Sequence, residues 1–317
     1  MMAHRGVCGY TSGIFSRITD TSMRHLLTVL FATLLAVTAA APSMATKPSR
    51  PDPVAPAYEP PSAALADRIR KSRILVVGAT GNNGGDIVAA LDAIGARPRL
   101  LVRDIDRAKQ RWSGDRDWVQ GDLTKPETLG PALAGIDVVI NAAATRALEG
   151  PNGVDEVDLG GMRNLIAAGR KARIQRIVLI TGMTVGRPES DWPQGPFKRG
   201  FAAKREAEKL LIDSGIDYVI LRPTGILPRS AHRYGIRIVA QDQYQASLEE
   251  LRMRAPAVAP DPNGPPPEGT IGRADLAEVA IVSAVHRDAR RRVFVVTGTQ
   301  EPATAAWVRE LRRMPRR

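Results

Sequence analysis

Between residues 73 and 94 an apolar run, a glycine cluster and an amphipathic stretch follow one another without a gap, and few chain architectures accept that order. Residues 73–77 are apolar from Ile74 onward and rich in β-branched side chains, as a strand buried in a parallel sheet requires. They lead directly into Gly78-Ala79-Thr80-Gly81-Asn82-Asn83-Gly84-Gly85, after which Ile87, Val88, Leu91 and Ile94 fall on one helical face. Glycines in such a turn let backbone amides approach a pyrophosphate, and the amino end of the helix adds its partial positive charge at the same place. A glycine triplet alone is a weak signal; here it stands between a strand and a helix, the context that dinucleotide binding needs. The competing reading is a tight turn that serves packing alone.

The alternation continues along the chain. Strands are expected at Arg99–Val102, 118–120, 137–140 and Arg176–Ile180, with helices at 126–133 and 154–172, which predicts an α/β domain built on a doubly wound parallel sheet. Arg103 and Asp104 end the second strand, about 20 residues beyond the glycines, where an acid binds ribose hydroxyls and an arginine pairs with a 2′-phosphate. Arg103 comes first, so the expected cofactor is NADP(H), with NAD as the alternative. A plain salt bridge from Arg103 to Asp104 or Asp106 is the other reading of that side chain. Asp122 and Leu123 follow the third strand, and Asn141-Ala142-Ala143-Ala144 follow the fourth with side chains small enough to leave room for a nucleotide.

Five segments carry a family resemblance: GlyAlaThrGlyAsnAsnGly at 78–84, LeuValArgAsp at 101–104, GlyAspLeu at 121–123, the stretch 204–227 containing LeuArgProThrGly, and IleGlyArgAlaAspLeuAlaGluValAla at 271–280. Together they span residues 73–298 and resemble the atypical short-chain dehydrogenase/reductases, in the NAD(P)H-binding, NmrA-like branch. The resemblance implies a Rossmann-type sheet with a small carboxyl-terminal lobe over a substrate cleft. It implies cofactor contacts at Gly78, Thr80, Gly81, Asn82, Asn83, Gly84, Arg103, Asp122, Leu123, Ala142, Ala143 and Ala144. Lys204 would face the nicotinamide, with Pro223 beside it after the sixth strand.

Catalysis is where the chain departs from better-known members. Their Tyr, four residues before the Lys, protonates a carbonyl, while the Lys lowers its pKa and holds the ribose. Here that position is Gly200, followed by Phe201, and neither donates a proton. Thr181 and Thr184 flank Gly182 after the fifth strand and, with Lys204, are the catalytic candidates. Lys204 has an alternative as a surface pair with Glu208 on a helix at 202–214. Asp86, Asp155 and Asp158 read as helix-face or capping acids, Tyr218 as packing, and His232 or Tyr234 as proton donors in the covering lobe. Three functions compete: a reductase or dehydrogenase acting on an unknown small molecule, a non-catalytic dinucleotide-binding module for redox sensing or assembly, and a degraded cleft working outside the cytoplasm.

Composition bounds the remainder. The single cysteine, Cys8, excludes an intrachain disulfide and a Cys-based zinc site, and the four His residues lack ligand spacing, so no metal is expected. Of the 45 basic residues 37 are Arg, a bias expected of a GC-rich coding background, and the net charge of +12 therefore says little about function. Aromatics make up 4% and do not interleave with basic residues, so no nucleic acid partner is expected. Residues 1–45 read as an export signal preceded by an overlong start, with Met23 as an alternative initiator, a charge-free run at 26–41 and cleavage after Ala45. Export to the periplasm, or membrane association through an uncleaved segment, would follow; without the signal the protein would be cytoplasmic. A proline-rich linker at 46–72, the nucleotide-binding domain at 73–300 and a solvated basic tail at 301–317 complete the expected organisation, with a surface excursion at 255–269.

Overall fold

Four consecutive aliphatic residues, Ile74–Val77, form β1, and all four are buried. Their alternation sorts them between two cores: Ile74 and Val76 point into one hydrophobic cluster, Leu75 and Val77 into the other. A strand apolar on both faces needs helices on both faces. The computed structural model describes residues 62–228, 231–244 and 267–316. The expected signal segment, linker residues 46–61 and excursion residues 255–266 lie outside them.

Around β1 stand β2 (Arg99–Val102), β3 (Asp117–Gln120), β4 (Val138–Asn141), β5 (Arg176–Ile180), β6 (Asp217–Pro223), β8 (Ile236–Val239) and β10 (Arg292–Gly298), in the order β3-β2-β1-β4-β5-β6-β10-β8. All neighbours run parallel except β8, which is antiparallel to β10. Leu75 lies opposite Arg99 on one side of β1 and Val139 on the other. The direction of winding reverses between β1 and β4, and in such sheets the ligand crevice opens beyond the carboxyl ends of the strands at that point. A separate parallel pair, β7 (Gly225–Leu227) and β9 (Thr270–Gly272), stands apart from this sheet.

One sheet face is covered by α2 (Asn82–Ala93) and α7 (Arg273–Val285), which is buried from Asp275 onward. The other is covered by α4 (Leu129–Leu133), α5 (Gly161–Ala172) and α6 (Lys198–Ile212). A short α3 (Ile105–Arg111) follows β2. The helix expected over 154–172 is in fact two geometries, a wide π-helical turn at Asp155–Gly160 that runs into α5. The helix expected at 126–133 likewise begins with a 3-10 turn at Pro126–Thr128 before α4.

Two expected boundaries are corrected. The linker does not reach residue 72, because Ala63–Lys71 is a helix, α1: Ser62 Oγ accepts from Leu65 N–H, Leu65 and Ile69 are buried one turn apart, and the Arg68 guanidinium donates to Val285 O at 2.8 Å. The segment 301–317 is not a solvated tail either. Trp307, Leu311 and Met314 are buried, the first two within α8 (Trp307–Glu310) and the 3-10 turn after it, and all three join the same core as α2 and α7. An i, i+4, i+7 apolar stripe lies among the arginines there, and burying a large aromatic outweighs the exposure that the charges favour.

A dinucleotide cleft with its proton donors engaged

At the carboxyl end of β1 the chain turns at Gly78, whose φ of +80° is open to glycine, and a Cβ there would lie 2.8 Å from the Ala143 backbone. Gly81 N–H donates to Gly78 O, and Gly85 N–H donates to Gly81 O to start α2. Gly84 packs against the turn so closely that a Cβ would stand 2.1 Å from Gly78 O. Gly81 is the N-cap and supplies no side-chain acceptor, which leaves first-turn amides of α2 facing outward. Thr80, Gly81 and Asn82 are exposed, Asn83 and Gly78 are half-buried and Gly84 is buried. Uncapped amides, a helix amino terminus and a backbone cradle that a Cβ would fill suit a pyrophosphate, so these residues fit a dinucleotide.

The neighbouring strand ends complete the crevice. Ala142 N–H donates to Val77 O, and Oδ1 of the buried Asn141 side chain accepts from Ala143 N–H at 3.1 Å, fixing Ala142 and Ala143 against Gly78 while Ala144 stays exposed. The exposed Arg103 side chain ends β2 and donates to Asn152 Oδ1 at 3.0 Å. The alternative of a bridge to Asp104 is not formed: Asp104 caps α3 by accepting from Arg107 N–H. Asp122 turns its carboxylate onto Thr124, accepting from that residue's N–H and hydroxyl, so it shapes the turn after β3. Leu123 is buried, and its carbonyl accepts from Asn164 Nδ2. Arg111, which no sequence motif marked, donates to Thr80 O at 2.7 Å and so braces the glycine turn from α3.

On the far side of the cleft two of the three catalytic candidates, Lys204 and Thr181, are engaged by carboxylates. Lys204 on α6 forms an ion pair with Asp158 of the π-helical turn, whose side chain is 5% exposed. This corrects both the Lys204–Glu208 surface pair and the capping reading of Asp158. Glu208 instead faces inward: its Oε1 accepts from the Thr181 hydroxyl at 2.6 Å and from Arg222 Nε at 3.1 Å, and its Oε2 accepts from Arg222 Nη2 at 2.5 Å. Arg222, immediately before Pro223 at the end of β6, also donates to Gln241 Oε1 at 3.2 Å. Thr184 is half-buried in a short turn at Met183–Gly186. Arg205 pins that loop by donating to Val185 O, with its guanidinium stacked 4.1 Å over Trp192.

The weaker candidates divide. Asp86 and Asp155 lie on helical faces as expected; burial pushes the Asp86 carboxyl up against the opposing pull of Arg273 and Arg111, and Asp155 pairs with Arg199. Tyr218 is buried within the core, and Tyr234 is half-buried. His232 faces α7, where Nε2 meets Glu278 Oε2 at 2.5 Å and its N–H donates to Asp275 Oδ1 at 2.9 Å. Burial raises Asp275 to about 7, against the lowering effect of the His232 N–H.

A doubly wound sheet with a glycine turn at its switch point defines a Rossmann-type, dinucleotide-binding fold. Residues 78–287 match the NAD(P)H-binding family, and the chain belongs to this NmrA-like branch of the atypical short-chain dehydrogenase/reductases. It is 31% identical over 230 residues to the photosystem II assembly factor Ycf39 of Cyanophora paradoxa, covering 72% of this chain and 64% of that protein. It is 32% identical to the 4-hydroxy-2-methyl-3-oxo-4-farnesyl-3,4-dihydroquinoline-1-oxide ketoreductase of Stigmatella aurantiaca, covering 48% of this chain and 49% of that enzyme. The chain thus spans 49% and 64% of the length of these two curated relatives, less than two thirds of either. The crystal structure of the oxidoreductase ylbE from Lactococcus lactis shares the fold at a TM-score of 0.56 and 20% identity, over 75% of this chain and 94% of that one.

Proposed function

We propose that this protein holds NADP(H) in the cleft and responds to it as a redox-sensing or assembly module, without reducing a carbonyl itself. The observation that carries this reading is the engagement of Lys204 by Asp158 and of Thr181 by Glu208, together with glycine where a tyrosine donor would stand. A bound nicotinamide would supply or accept a hydride. Carbonyl reduction also needs a proton at the oxygen, and a Thr hydroxyl that donates to an arginine-paired carboxylate is poorly placed to give one. The 2′-phosphate preference rests on Arg103, whose side-chain partner among the described residues, the neutral Asn152, is easily exchanged for an anion. Similarity to assembly factors supports the module; with the export signal read at 1–45, it would work outside the cytoplasm or at a membrane.

Hydride transfer to an unknown small substrate is the second reading, favoured by the similarity to a ketoreductase. One experiment separates them: titrate the purified chain with NADPH and NADH, then follow NADPH oxidation with a panel of carbonyl compounds. The module reading expects tight NADPH binding and no turnover. Arg103→Ala should weaken NADPH binding by about 1.5–3 kcal/mol, roughly 10- to 150-fold, and leave NADH unchanged. Turnover that Lys204→Ala abolishes would establish the enzyme, and binding no tighter than millimolar would overturn both readings.

A further inference from the structure

The opposite end of the sheet carries a second concave site, which shares no residue with the dinucleotide cleft. It opens at the amino ends of β4, β5 and β6, has a volume of about 960 Å³, and is lined by eight basic residues against two acidic ones, Asp137 and Asp217. That volume lies at the upper end of the roughly 300–1,000 Å³ typical of small-ligand sites. We propose that this groove binds a small soluble anion bearing phosphoryl groups, such as a phosphate ester or diphosphate.

The argument rests on how the lining charges are held. Arg176, the first residue of β5, is buried, and its Nη1 donates to Ser283 O at 2.8 Å, Ala284 O at 3.1 Å and His286 O at 2.9 Å around the carboxyl end of α7. Arg68 of α1 donates to Val285 O, and Arg170 of α5 donates to Ser214 O. These three guanidiniums are fixed by neutral carbonyl oxygens, so they are positioned but not cancelled. The helix carboxyl ends contribute only about half a negative charge each. Both acids are already committed: Asp137 takes a two-pronged bridge from Arg73, and Asp217 is shared by Arg290 and Arg291. Arg173 and Arg287 add charge at the rim, Arg287 with its Nε 3.8 Å from Asp288. Burial first, then Arg290 and Arg68, depress Arg176 to about 10 against the pull of Asp217, which still leaves it cationic at neutral pH. A concave surface of preformed, under-compensated guanidiniums matches phosphoryl oxygens, which accept several donors at once. A flat bilayer reaches the rim but not the buried Arg176.

The test is calorimetric titration of the full chain with pyrophosphate at low ionic strength, with the cofactor cleft saturated by NADPH. Binding below about 1 mM that persists beside NADPH supports the groove. The double variant Arg173→Gly, Arg287→Gln leaves Arg176 and its carbonyl partners intact, and glycine suits the left-handed backbone at 173, where φ is 57°. It should weaken pyrophosphate at least about tenfold and leave NADPH affinity and the melting temperature unchanged. No binding, displacement of pyrophosphate by NADPH, or affinity unaltered by the double variant would each overturn the proposal. Vesicles of phosphatidylglycerol, with phosphatidylcholine as control, distinguish the source. Capture that pyrophosphate reverses and the double variant loses would place the phosphoryl group on a lipid, and absence of capture keeps it on a soluble ester.

Discussion

Replacing the cradle glycines by alanine, one at a time, tests whether the cleft depends on backbone contact. At position 84 a Cβ would lie 2.1 Å from Gly78 O and 2.6 Å from Gly78 C, against an ordinary separation of about 3.5–4.0 Å for carbon contacts. Both neighbours are backbone, so no side chain can swing aside and α2 must move off β1 by more than an ångström. That movement strains the packing of Ile87, Val88 and Leu91, all fully buried. Overpacking of this kind costs about 3 kcal/mol, which for a domain of this size lowers the melting temperature by about 6–12 °C. At position 78 the φ of +80° and the 2.8 Å approach to Ala143 add strain of about 1–2 kcal/mol from the backbone to a clash. At position 81 the sole contact is 3.1 Å to one oxygen, and the φ of −76° is ordinary, so the cost stays below about 1 kcal/mol. Melting curves and NADPH titrations of the three variants should therefore rank Gly84→Ala as most damaging and Gly81→Ala as least. A Gly84→Ala protein that melts within about 2 °C of wild type and binds NADPH within about twofold would refute the reasoning.

Two further outcomes follow from burial. Asp275 holds its proton up to about 7 in the folded state, whereas the unfolded carboxyl releases it near 3.8, so its stabilising contribution is full at low pH and is lost as pH rises towards 7. The loss amounts to at most about 4 kcal/mol. Asp275→Asn keeps an acceptor for His232 N–H, and its urea midpoints should vary less with pH than wild type between about pH 4 and 7; identical slopes would sink the idea. Trp307→Ala should cost about 3–5 kcal/mol in urea unfolding. A change under about 0.5 kcal/mol would restore the picture of a solvated tail.

The segments legible in the sequence are those whose signal is local. β1, the glycine turn and α2 could be read directly, because an apolar run, a cluster of glycines with one at positive φ, and a 3.6-residue stripe each specify their own backbone. The Thr181–Glu208–Arg222 network could not, because β5 and β6 become neighbours only when the crossover through α6 folds back on the sheet. Spacing alone offered Glu208 to Lys204 one helical turn away, and the tertiary structure gave it to Arg222. Asp158 reached Lys204 through a π-helical turn, whose extra residue no periodicity reveals. The last stripe, Trp307, Leu311 and Met314, was hidden by composition: its arginines dominate the segment, while its few apolar residues decide where it packs.

The position of β10 sets an order of events for the chain as it is made. β6 has β5 on one side and β10 on the other, and among the described residues β8 pairs with β10 alone. The second edge of β6 and the pairing of β8 must wait for a strand that begins at Arg292, well after both are made. Until it arrives, β6 presents an open apolar edge of the kind that recruits strands from other molecules. A message truncated shortly before Arg292 would therefore not yield a smaller working domain. It would yield a chain with β8 unpaired and β6 open along one edge, and chaperones or proteases would meet it before any cofactor did.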